Sequence, residues 1–150
     1  MNIEHDKVTP FLWFERDAEM AAKLYVSLFP DSKIEDANPM MVTFSLSGRR
    51  FIALNGGPHY KPTPAFSMFV RCKDQREVDD LWTKLMADGG KDDRCGWMRD
   101  KFGLSWQIVP LRLLELLSHG DRGIASKAQA AMMKMQKIEV AELERAVAEI

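Results

Sequence analysis

Along the first two-thirds of the chain, short apolar runs that suit strands alternate with segments whose apolar residues recur at helical spacing. Val8 to Phe14 is rich in aromatic and branched residues and reads as a strand, with Pro10 near its start, where a missing N–H is tolerable. Asp17 stands where it can cap the helix that follows, and Ala21, Leu24, Tyr25 and Leu28 share one face of it before Pro30 stops it. Lys33 to Asp36, Met41 to Ser47 and Arg50 to Asn55 read as three strands, the last two joined by a turn at Ser47-Gly48-Arg49. The pattern predicts a βαβββ unit.

A connecting loop, Asn55-Gly56-Gly57-Pro58-His59-Tyr60-Lys61-Pro62-Thr63-Pro64, is dense in residues that break regular structure. A second unit begins at Ala65 and continues through an Asp74 to Ala87 helix that ends near Gly89-Gly90. Asp92 to Arg99 and Leu104 to Val109 read as strands around a turn at Asp100-Lys101-Phe102-Gly103. After Pro110 the character changes to three short helices, Leu111 to Leu117, Ala125 to Met135 and Val140 to Ile150. The tail is too short for an independent domain, so it is expected to pack on the sheet or on a second subunit.

The two units repeat one another. Thr9-Pro10-Phe11-Leu12-Trp13-Phe14 returns as Pro64-Ala65-Phe66-Ser67-Met68-Phe69-Val70, and Asp17, Ala21, Leu24, Tyr25, Leu28 and Phe29 answer to Asp74, Val78, Leu81, Trp82, Leu85 and Met86. Similar segments imply similar half-structures, which commonly face one another across a ligand cleft. The organisation expected is a single domain: a first module at 1–57, a second at 58–110 and a helical extension at 111–150.

Composition narrows the classes of partner. A chain of 150 residues buries about 70% of its unfolded surface and needs no metal or disulfide to hold a core. A net charge of -1 gives no bulk preference for nucleic acid. The N-terminal Met-Asn-Ile-Glu-His-Asp-Lys lacks the basic and apolar regions of a secretory signal, and no apolar run is long enough to span a bilayer. Cytoplasmic localisation and no membrane partner are expected. Cys72 and Cys95 match neither a redox pair nor a zinc motif and are expected to be reduced thiols.

These residues carry a resemblance. The paired βαβββ modules, the Asp17-to-Tyr25 helix, Asp100-Lys101-Phe102-Gly103-Leu104-Ser105-Trp106-Gln107-Ile108-Val109 and Met132-Met133-Lys134-Met135-Gln136-Lys137-Ile138 resemble the PhnB-like branch of the vicinal oxygen chelate superfamily. The resemblance implies an α+β protein with the glyoxalase/bleomycin-resistance/dioxygenase-like fold, its curved sheets enclosing a cleft, and a homodimer. Members of the superfamily with chemistry usually hold a divalent ion through His or Glu on the first and last strands of each module. Carried over, those positions fall at Thr9 or Pro10, at Ala53, at Pro64 or Ala65, and at Gln107, none an ordinary ligand. No metal and no cofactor are therefore expected, although His5 and His59 together offer an unorthodox alternative. Members of this branch are often called demethylubiquinone methyltransferases. This sequence has no strand followed by a glycine-rich turn of the kind that holds S-adenosylmethionine.

What remains for a cleft is aromatic with a few polar tips. The ligand-binding candidates are Trp13, Asn55, His59, Tyr60, Trp106 and Gln107, with His59 also the candidate proton acceptor. Gln107 stands out because an amide inside an apolar strand costs free energy unless it is bonded. Phe11, Phe66 and Met68 are expected to fill the core rather than the cleft. Cys95 beside Trp97 lacks a neighbouring base and reads as a buried structural thiol. Arg49-Arg50 reads as a solvated hairpin tip. Three functions remain: a small-molecule binding protein of the bleomycin-resistance kind, a glyoxalase-type enzyme with a non-standard metal or a metal-free acid–base site, and a dimeric structural module without a ligand.

Overall fold

The computed structural model, which describes residues 6–149, carries the βαβββ order twice. It divides into two units, Met1–Pro62 and Thr63–Ile150, so the helical tail belongs with the second. The first contains β1 (Phe11–Phe14), α1 (Ala18–Leu28), β2 (Lys33–Ala37), β3 (Met41–Leu46) and β4 (Arg49–Asn55), with sheet order β1-β4-β3-β2. The second repeats it with β5 (Ser67–Cys72), α2 (Gln75–Met86), β6 (Lys91–Asp92), β7 (Trp97–Arg99) and β8 (Ser105–Pro110), in the order β5-β8-β7-β6. In each sheet the module's first strand lies parallel to its last, and the remaining pairs are antiparallel. The repeat in sequence is a repeat of topology, and the fold is the expected α+β pair of βαβββ modules. Among the described residues no helix is long and apolar enough to cross a membrane.

Strand alternation decides which face of each sheet is covered. In the first sheet Leu12, Phe14, Val42, Phe44, Phe51 and Ala53 are buried on the side that α1 packs against with Ala18, Ala21, Ala22 and Tyr25. The three alanines keep side-chain bulk off the contact and let the helix approach the sheet closely. In the second sheet Met68, Cys72, Met98, Trp106 and Ile108 form the covered side, met by Val78, Leu81 and Leu85 of α2. The helices do not present identical faces: Tyr25 is fully buried, whereas its counterpart Trp82 is only partly so.

Several boundaries differ from those read in the sequence. β1 starts at Phe11 rather than Val8, because Pro10 has no N–H and joins only through its carbonyl, which accepts from Ile52 N–H at 3.0 Å. Asp17 flanks α1 without a side-chain cap; the Ala18 N–H instead donates to Asn55 Oδ1 at 2.9 Å. Asp74 does cap α2, accepting from Glu77 N–H at 3.0 Å. The β3–β4 hairpin turns on Ser47 and Gly48, both with positive φ, the signature of a type I′ turn. The expected strand from Asp92 to Arg99 is broken into β6 and β7 by a turn in which Cys95 and Gly96 have φ of 61° and 86°.

The tail forms α3 (Leu111–Leu117), α4 (Arg122–Met132) and α5 (Val140–Ala148). α4 begins earlier than its apolar spacing suggested because Asp121 caps it, accepting from Gly123 N–H at 2.8 Å. Leu113, Leu116, Ala128, Ile138 and Leu143 close a core around Val109 at the end of β8. The tail thus satisfies its own apolar face inside the second unit. Gln75 of α2 clamps it: its amide donates to Ile138 O at 2.9 Å and accepts from Val140 N–H at 2.7 Å. Beside this clamp Lys137 lies 2.8 Å from Asp79 and, with Gln75, holds that carboxyl below its usual range.

Candidate functional site

Where β1 and β4 meet, the side of the first sheet opposite α1 is apolar and open, whereas Thr43, Ser45 and Arg50 make its remainder polar. Phe11 pairs with Ile52 and Trp13 with Leu54 across the parallel β1–β4 ladder, and Met41 continues the second row. Phe11 is 52% and Met41 38% exposed, and Trp13, Ile52 and Leu54 are half-buried. Phe11 was expected in the core; strand phase places it here, and Phe66 is likewise 44% exposed while Met68 is the core residue.

The loop after β4 fixes Trp13. Gly56 and Gly57 extend the pairing along β1, donating to Phe14 O and Glu15 O at 2.9 and 3.0 Å, and the indole N–H donates to Gly57 O at 3.0 Å. The ring lies so close on Gly56 that a Cβ there would sit 2.3 Å from Trp13 Cε2, so only glycine fits. Tyr60 meets Trp13 edge-on with centroids 5.0 Å apart, and His59 meets Tyr60 in the same manner at 4.4 Å. Trp13, His59 and Tyr60 are therefore brought together as an aromatic cluster at the edge of the open face. Asn55 stands beside them with both ends of its amide engaged, since Nδ2 also donates to Pro39 O at 3.0 Å. Its visible work is to cap α1 and hold the β2–β3 turn.

The second sheet separates the other two candidates. Trp106 is on the covered side, 1% exposed, with its indole N–H donating to Asp100 Oδ2 at 2.9 Å. Asp100 Oδ1 accepts from Phe102 and Leu104 N–H at 2.9 and 3.1 Å, so one buried carboxylate organises the β7–β8 turn and anchors the tryptophan. Gln107 is on the open side, between Phe69 and Trp97 in register, and its amide donates to Ser67 Oγ at 3.0 Å. Phe69, Ser67 and Ser105 were not among the sequence-based candidates, and Trp97 was considered only as the neighbour of Cys95. The signal was the polar–apolar alternation Ser105-Trp106-Gln107-Ile108, which turns Trp106 inward once Gln107 faces out.

The positions that resemblance assigned to metal ligands carry no imidazole or carboxylate. Ala53 is buried on the helix side of β4, whereas Gln107 is on the open side of β8. Among the described residues no cluster of three or more His, Cys, Asp or Glu side chains is arranged to hold an ion, and His5 lies outside the described residues. Cys72 is buried, which pushes its thiol up to about 12. Cys95 is half-buried, its Sγ 3.6 Å from Met133 Sδ.

Residues 6–109 match the family model described as 3-demethylubiquinone-9 3-methyltransferase. The chain belongs to this family. A PhnB protein from Bacillus cereus, whose structure is solved, is 31% identical over 69% of this chain and 98% of its own, with a TM-score of 0.63. A protein from Pseudomonas aeruginosa is 18% identical over 69% of this chain and 96% of its own, with a TM-score of 0.56. A glyoxalase-related enzyme from Fulvimarina pelagi shares the fold, at 15% identity over 69% and 88% of the two chains and a TM-score of 0.50. No curated protein matches the chain. The PhnB-like assignment and the glyoxalase-like fold thus stand. The family's name implies S-adenosylmethionine, and the residues here do not fit the cradle that holds it in the common methyltransferase fold. The strand-to-helix turns Glu15-Arg16-Asp17 and Lys73-Asp74 contain no glycine, and β1 and β5 are edge strands.

Proposed function

We propose that this PhnB-like protein binds small planar molecules, each on the open face of one sheet, without the metal ligands usual in the superfamily. The observation that carries the reading is the uncovered Phe11, Trp13, Ile52 and Leu54 face, with Trp13 held rigid by Gly56, Gly57 and Tyr60. A fixed indole at the border of an apolar surface stacks a flat ligand at little cost in side-chain entropy. Gln107 offers an amide on the open face of the second sheet. Titration calorimetry with 2-naphthol tests this: saturable binding is expected, weakened at least tenfold in Trp13→Ala. Equal binding by the variant refutes the assignment. Metal-dependent turnover of a hemithioacetal or catechol would make the protein a glyoxalase-type enzyme instead.

The protein acts as a homodimer in the cytoplasm, where its two free thiols stay reduced. The self-contained tail removes one expected reason for dimerisation. The support left is the exposure of Met20, Met40 and Phe66, at 59%, 63% and 44%. Light scattering that finds a monomer at micromolar concentration overturns it.

A further inference from the structure

The open face of the second sheet differs in chemistry from that of the first. Register lays out its rows: Ser67, Ser105, Arg99 and Lys91; then Phe69, Gln107 and Trp97; then Arg71, whose partner Val109 is sealed in the core of the tail, so the face is open only short of that end. Three cations and no carboxylate occupy these rows. Arg50, Arg112 and Arg145 each pair with a carboxylate, whereas among the described residues Arg71, Arg99 and Lys91 form no ion pair. Arg71 instead lies over the Phe69 ring, 5.0 Å from its centroid.

A second observation points to a ligand. Ser105 is 1% exposed, yet its hydroxyl has no hydrogen-bond partner among the described residues. A buried hydroxyl left unbonded is costly, and native proteins rarely keep one without a use. Ser105 stands between Ser67 and Arg99 in its row, beside the Gln107 amide that already donates to Ser67 Oγ. Accepting that bond leaves the Ser67 hydroxyl proton free to donate. The row therefore offers two hydroxyl donors and a guanidinium on one side of an aromatic pair.

We propose that this face binds a small aromatic carboxylate, its ring against Phe69 and Trp97 and its carboxylate on Arg99, Ser105 and Ser67. The guanidinium fork matches a carboxylate in geometry as well as charge. The inference rests on reading the open faces as binding surfaces, and it adds the charge of the ligand and the residues that detect it.

The test is calorimetry with 2-naphthoate and its uncharged methyl ester at low ionic strength. Wild type is expected to bind the acid at least tenfold more tightly than the ester, and Arg99→Gln to lose that preference while Arg99→Lys keeps part of it. Ser105→Ala should weaken acid binding several-fold without lowering the melting temperature, since it removes a hydroxyl that the unliganded protein does not use. Equal affinity for acid and ester in wild type, or a preference that survives in Arg99→Gln, overturns the proposal while leaving the small-molecule reading intact. Binding of neither probe defeats both.

Discussion

Replacing Asp100 with alanine should unfold this protein far more readily than its place in a turn suggests. Asp100 is 3% exposed, and its carboxylate accepts hydrogen bonds from Phe102 N–H, Leu104 N–H and the Trp106 indole, at 2.9, 3.1 and 2.9 Å. Bonds to a charged acceptor contribute about 1.5–3 kcal/mol each, but removing them together also recovers the cost of burying the charge, several kcal/mol. What is not recovered is the desolvation of donors that water cannot reach, above all the indole of a residue 1% exposed. The net loss is about 3 kcal/mol, a large share of the 5–15 kcal/mol typical of a domain. For a chain of this length that lowers the melting temperature by roughly 6–12 °C. Asp100→Asn should cost less, because its oxygen still serves both backbone donors and only the indole faces an amide N–H. Urea titration of Asp100→Asn, Trp106→Phe and the double variant should therefore give a coupling of about 1.5–3 kcal/mol. An Asp100→Ala midpoint shift equivalent to under about 1 kcal/mol, or additive single effects, refutes the account.

Further outcomes follow from the geometry. Gly56→Ala should displace the Trp13 ring, cost about 1–3 kcal/mol and abolish 2-naphthol binding, read by chemical denaturation and calorimetry. With a disulfide-exchange reagent at pH 8, Cys95 should react in the folded protein and Cys72 only after unfolding, because burial pushes the latter up to about 12. The raised Cys72 stabilises the fold below the ordinary thiol value and loses that contribution as pH rises toward about 12, so alkaline unfolding should come later in Cys72→Ala. Gln75→Ala removes both ends of the tail clamp and should cost about 2 kcal/mol, with protease cleavage between α4 and α5 reporting it. Asp79 and Glu144 are held low by Lys137 and Arg112, so their contribution is present above the usual carboxylate range and is lost as pH falls below it. The pairs are exposed and screened by solvent, so the loss of urea midpoint between pH 6 and pH 3 that either pair causes should be small, and a large loss abolished by Glu144→Gln refutes this.

The repeat, the start of α2, the end of α1 and the hairpin at Ser47-Gly48 were legible because each depends on local chemistry: an Asp before an apolar run, a proline after one, a glycine where φ must be positive. The two sides of a strand were harder to assign. Trp13 and Trp106 are both aromatic residues in apolar strands, yet one edges an open face and the other is sealed under α2. Only the phase of Ser105 and Gln107 tells them apart. Residues that act through a distant partner were less legible still. Asn55 caps a helix 37 positions away in sequence, and Gln75 holds a segment 63 away; nothing in their immediate neighbours signals either bond. The break between β6 and β7 turns on Cys95 and Gly96, both with positive φ: Gly96 was the available signal, and the left-handed Cys95 before it was the part that the sequence does not announce.

Parallel pairing of β1 with β4 and of β5 with β8 bears on how the chain is made. Each opening strand must wait for the closing strand of its own module before its backbone groups find partners, so neither module can zip up from its beginning. During synthesis the leading segment leaves the ribosome with a bare apolar ribbon until Asn55 is out, and the trailing one until Pro110 is out. Nascent chains from which either residue has not yet emerged are thus the species a chaperone would need to shield, and chains with Asn55 just clear of the ribosome should already hold a finished first sheet.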